Sequence, residues 1–114
     1  MDIFEKGESI PRTIELSDND IVLNTAIFLT IEVVVFSWIH NVIGTYTLAG
    51  GTVTLLVPNT DGQIFFVVPA TITAASRAMK YYYRIKTTET NTDYPTGIRT
   101  REYLGWCFDL KVTK

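Results

Sequence analysis

The sequence predicts an all-β chain folded as an antiparallel sandwich or barrel. Three observations lead there. Apolar residues alternate with period two along most of the chain. Short apolar runs alternate at regular spacing with Gly, Pro, Asn and Asp, the residues of turns. Helical signal is scarce, confined to "PATITAASRAM" from Pro69, where Thr71 or Thr73 would cap a turn or two.

Length and composition set the frame for the elements. The chain has 114 residues, 46% hydrophobic and 19% charged, which suits one folded unit with its own core. Ten basic against twelve acidic residues leave a formal charge of −2, so no global field draws the chain to nucleic acid or to an anionic membrane. The start, "MDIFEKGESIPR", carries acidic residues where a secretory signal would be basic, and no long apolar run follows. A soluble chain without a cleaved signal is expected. Ile3 and Phe4 fall outside any strand period, and residues 1–9 are read as a docking arm.

In "SDND", Asp18 and Asp20 have the spacing of a calcium loop. An EF-hand begun at Asp18 would need glycine at Leu23 and glutamate at Leu29, so Asx-turn chemistry explains the pair better. The next run, "AIFLTIEVVVFSWI", is too short for a bilayer and holds Glu32 at its middle. Its period sets Ile27, Leu29, Ile31, Val33 and Val35 on one face, against Phe28, Thr30, Glu32, Val34 and Phe36. Both faces are apolar. An isolated sandwich buries one of them, so Phe28, Phe36 and Trp38, with Ile3 and Phe4, are the predicted interface residues. "TVTLLV" and "IFFVV" then read as a hairpin across "PNTDGQ", whose Asp-Gly supplies the positive φ of a turn.

"KYYYRIK" from Lys80 places Tyr81, Tyr83 and Ile85 on a core face and Lys80, Tyr82, Arg84 and Lys86 on the other. Each tyrosine ring buried is worth about 1.5–3 kcal/mol. Pairing with "GIRTREY" across "TETNTDYPT" would gather Arg99 and Arg101 with these basic residues on one outer surface. Glu89, Asp93 and Glu102 would cancel much of that field, so no nucleic-acid binding is expected. Glu89 and Asp93 are assigned to the loop. In the last strand Trp106, Phe108, Leu110 and Val112 point inward and Cys107, Asp109 and Lys111 outward.

The residues for chemistry are few. His40 is the one histidine and Cys107 the one cysteine, with no nucleophile elbow, Cys–His signature or phosphate-cradling loop. No enzyme, metal site or cofactor is expected.

Four segments carry a resemblance: "FEKGESIPRTIEL", "DIVLNTAIFLTIEVVV", "KYYYRIK" and "REYLGWCFDLKVTK". Together they resemble bacteriophage virion domains like the amino-terminal domain of baseplate upper proteins, met also in tail and fibre proteins. The matching positions are Gly7-Glu8, Asp20 to Leu23, Tyr81 to Ile85, and Gly105 to Thr113. Arg84 stands where that family often has an acidic residue. The resemblance spans nearly the whole chain and implies one Ig-like antiparallel sandwich of about seven strands over residues 1–114. It further implies a virion structural protein, assembled in the host cytoplasm, serving as a tail, baseplate or head-fibre adaptor. Such a protein would be multi-copy or homo-oligomeric and would dock to other virion proteins, with no membrane partner. Two alternatives stand beside it: a capsid decoration protein, and a carbohydrate-binding sandwich that stacks sugars on Tyr82, Tyr94 or Tyr103.

Overall fold

The computed structural model describes residues 3–18 and 21–111, and the chain is all-β. Its strands are β1 (Ile3–Glu5), β2 (Ile10–Glu15), β3 (Ser17–Asp18), β4 (Ile21–Val22), β5 (Phe28–Ser37), β6 (Val42–Thr47), β7 (Val53–Leu55), β8 (Gln63–Val68), β9 (Lys80–Thr90) and β10 (Ile98–Lys111). They form a five-stranded sheet in the order β1-β10-β9-β5-β6, a three-stranded sheet β2-β8-β7, and the small ladder β3-β4. Every pairing is antiparallel except β1 with β10. Seven strands carry the two main layers, and β1 and the β3-β4 ladder are short additions.

The layers enclose one core. Ile10, Ile64, Phe66 and Val68 come from the smaller sheet, and Ile31, Val33, Val35, Tyr81, Ile85 and Phe108 from the larger. Tyr46 stacks on Phe66 across the gap at 5.6 Å, and Tyr81 stacks on Phe108 at 5.0 Å. The Tyr81 hydroxyl donates to the Arg77 carbonyl at 2.6 Å, so the buried ring leaves its polar end satisfied. Tyr81 and Tyr83 face inward as the period requires, and Tyr82 faces out. Gly105 lies opposite Tyr83, and a Cβ there would sit 2.5 Å from the Tyr83 hydroxyl oxygen. The missing side chain is the space the ring occupies.

Irregularities in the ladders overturn several face assignments. The chain makes a 3-10 turn at Thr25–Ile27, capped by Asn24, and β5 starts only at Phe28. Its pairing with β9 then slips between Phe28 and Thr30. Leu29 is the extra residue. It and Ile27 are exposed, and Phe28 turns into the core. A second bulge lies between Trp106 and Phe108. A bulge sets two residues against one and reverses the alternation, so Cys107 joins Phe108 inside and Trp106 is turned outward.

Three further expectations are corrected. The arm is a strand: Ile3, Phe4 and Glu5 pair with Asp109, Leu110 and Lys111, and Phe4 packs edge-on against Phe108 at 6.4 Å. The single α-helix among the described residues, α1 (Ala70–Ala75), has Pro69 rather than a threonine at its cap. Thr73 sits inside it and donates to the Glu8 carbonyl at 2.7 Å, pinning the loop before β2. Glu89 belongs to β9, not to a loop, and is buried. The hairpin of β7 and β8 forms as expected, with Gly62 at φ 66°. Asn19, Asp20, Val112 and Thr113 lie outside the described residues.

Candidate interaction surface

The outer face of the five-stranded sheet is the chemically distinctive surface. Register builds it in cross-strand rows, because directly opposed residues project to the same side. Trp106, Tyr82, Phe36 and Val42 form one row, and Leu104, Arg84, Val34 and Thr45 the next. Glu102, Lys86, Glu32 and Thr47 follow, then Thr100, Thr88 and Thr30. Beyond the first row lie Asp109 and Lys80, opposed to each other, with Trp38 nearby, its amide donating to the Lys80 carbonyl. The face thus runs from aromatic through mixed and charged rows to a row of threonines.

The margins of the apolar surface are open to solvent, while Val34 at its middle is buried and Phe36 and Tyr82 are half-buried. Leu104 is 70% exposed, Trp38 60% and Val42 59%. Phe36 lies 6.3 Å from Tyr82 and stacks on His40 at 6.0 Å. His40 reaches this position from a tight turn at φ 69°, where its amide donates to the Ser37 carbonyl. Val34, Phe36, His40, Val42, Arg84, Glu102 and Leu104 line one shallow depression. Phe36, Trp38, Tyr82, Leu104 and Gly105 line the adjoining one. Trp106 is oriented by its indole N–H, which donates to Asp109 Oδ1 at 2.9 Å.

Of the five predicted interface residues, Phe36 and Trp38 belong to this patch. Phe28 is core, and Phe4 packs against the core through Phe108. Ile3 is exposed, on the edge strand β1. The tyrosines proposed to stack sugars do not share a platform. Tyr82 is on the patch, Tyr94 is exposed in the β9–β10 loop, and Tyr103 packs partly buried against the core, where burial raises its pKa. Val42, Leu104 and Trp106 escaped nomination. Period two sets Leu104 on the same inward face as Trp106, and the one bulge turns both outward; Val42 lies in no strand read from the sequence.

The expected basic surface does not assemble. Arg101 pairs with Thr87 of the inner register and so faces away from Arg84 and Lys86. Its Nε donates to Glu89 Oε1 and its Nη1 to Asp18 Oδ2, and Arg99 Nη2 donates to the same Asp18 oxygen at 3.5 Å. Burial opposes the Arg101 charge, but the bonds to the two carboxylates outweigh it and raise its pKa. These groups form a structural ion cluster that ties β3 to the β9–β10 hairpin. Among the described residues, no three His, Cys, Asp or Glu side chains come together as metal ligands would.

Comparison with protein-family models, curated proteins and solved structures finds no match to this chain.

Proposed function

We propose that the chain is a non-enzymatic structural protein of a bacteriophage particle, an adaptor of the tail, baseplate or head fibre that works by docking and oligomerisation. The observation that carries this reading is the outer face, where Phe36, Trp38, Val42, Leu104 and Trp106 form one continuous apolar patch. Soluble monomers seldom keep such patches, and aromatic residues with arginine are the types enriched where proteins meet.

The strand order supports the Ig-like part of the reading. One sheet holds β10, β9, β5 and β6 with β1 added in parallel to β10, and the other holds β2, β8 and β7. Ig-like sandwiches divide their strands between two antiparallel sheets in this manner. The segments of the resemblance also fall at structural positions: Gly7 at φ 91° before β2, Tyr81 to Ile85 in β9, and Gly105 under the Tyr83 ring. Exposed Leu104 and Val42, on either side of the patch, favour a protein partner over a sugar, which needs flat rings flanked by hydrogen-bonding groups.

Mass spectrometry of purified phage particles tests the proposal. The chain should appear in stoichiometric, multi-copy amounts with the other tail or head proteins. Its absence from particles made in cells that express it would refute the reading.

A further inference from the structure

We infer that the outer face binds a second copy of this chain, face to face, about a two-fold axis that runs along the strands between β9 and β5. The inference deepens the docking reading above by naming the occupant of the patch, and it rests on the register of the sheet.

A two-fold axis lying in the plane between two faces exchanges the columns on either side of it and keeps the rows. Placed between β9 and β5, it sets β9 over the partner's β5 and β10 over the partner's β6. Tyr82 then meets Phe36 of the other copy, and Trp106 meets Val42. In the charged row Lys86 meets Glu32, twice by symmetry. At the other end Lys80 approaches Trp38, an ammonium over an indole. Arg84 meets Val34, so its charge has no like partner. Within the rows the charges alternate across the strands, Asp109 beside Lys80 and Glu102, Lys86 and Glu32 in succession, and together with Arg84 and the Lys111–Glu5 pair at the β1 edge they sum to zero. A strongly acidic or basic partner would call for a rim of one sign. A second copy calls for a face that complements itself.

Size is consistent with this occupant. Four strands about 4.8 Å apart and four rows about 6.8 Å apart give a footprint of about 500 Å² in projection per copy. Corrugated side chains bury more than their projection, so two copies reach at least about 1,000 Å², at the low end of specific interfaces. Aligned sheet packing, with strands within about 30° of one another, preserves the pairings of the rows. An isologous contact of this kind closes on itself and stops at two.

Sedimentation of the full chain from low to high micromolar concentration tests the inference. The expected result is a reversible equilibrium between the 12.9 kDa chain and a species of twice that mass. Leu104→Glu should weaken it by about tenfold or more. Val57→Glu, at an 86% exposed site off this face, should leave it unchanged. Glu32→Lys and Lys86→Glu should each weaken the dimer by about tenfold, and the double variant should restore it to within about threefold. A chain that stays monomeric, a dimer indifferent to Leu104→Glu, or a charge swap that restores nothing would overturn the inference. A trimer or an open polymer would do so as well. A monomer still recovered from purified particles would leave the virion reading standing, and a dimer from a chain absent from particles would do the reverse.

Discussion

At the scale of single residues, Cys107 shows how one displaced side chain alters chemistry. The alternation puts it outside, and the bulge puts it inside, fully buried. Burial pushes its thiol up to about 12, with Arg12 nearby acting in the opposite sense. A buried neutral thiol is a poor nucleophile. Ellman's reagent should therefore leave the native chain unmodified and titrate one thiol after denaturation. The shift also has a thermodynamic sign. The folded pKa lies above the ordinary thiol value of 9.0, so the stability linked to this thiol is complete below pH 9 and declines as pH rises from there toward 12. The slope approaches about 1.4 kcal/mol per pH unit where the unfolded thiol is ionised and the folded one is not. Tyr46, Tyr81, Tyr83 and Tyr103 are raised by burial too and add to the decline above pH 10. Urea unfolding of Cys107→Ala across this range should lack the part of the decline that begins near pH 9. An unchanged slope would show that the thiol is not its source.

At the scale of elements, β10 is the organising strand. It pairs with β9 over most of its length and holds β1 at its end. On its inner side Arg101 lies between Glu89 and Asp18. Removing the cation would leave buried Glu89 without its ion-pair partner, with only the more exposed Arg99 opposite it in the ladder, and breaking such a pair costs about 3–5 kcal/mol in fully buried cases. Arg101→Met should lower the unfolding free energy by about 3 kcal/mol, toward the low end because Asp18 is partly solvated. A loss below about 1 kcal/mol would mean that the cluster is as weak as a surface pair. The short strand β1 gives a second check on this region. Phe4 packs against Phe108, so Phe4→Ala should cost about 1.5 kcal/mol. A free arm would lose nothing.

At the scale of the whole molecule, the two faces of the large sheet have different work. The inner face makes the core with β2, β8 and β7. The outer face keeps Leu104 in water, and that side chain contributes little to folding. Leu104→Glu should leave the unfolding free energy of the monomer within about 0.5 kcal/mol of the parent, as surface changes do. Denaturation at low concentration measures it. A loss of 2 kcal/mol or more would show that the patch is part of the chain's own core. Association is the property this substitution should alter.

What the sequence determined by itself was everything carried by local alternation and turn chemistry. It marked the all-β class, the β7–β8 and β9–β10 hairpins, the inward Tyr81 and Tyr83, and the second apolar face of β5 that contributes Phe36 and Trp38 to the patch. Period two is a property of the strand alone, so it survives without knowledge of neighbours. The tertiary structure decided whatever depends on a partner strand. The bulges at Leu29 and Cys107 exist only relative to β9, and each exchanges inside for outside beyond it. The pairing of β1 with β10 joins opposite ends of the chain through three residues, too few to show a period. Arg99 and Arg101 left the basic face because the inner register of β10 and the position of Asp18 put their carboxylate partners there. Alternation states that a strand has two faces, and only its neighbours settle which residue crosses from one to the other.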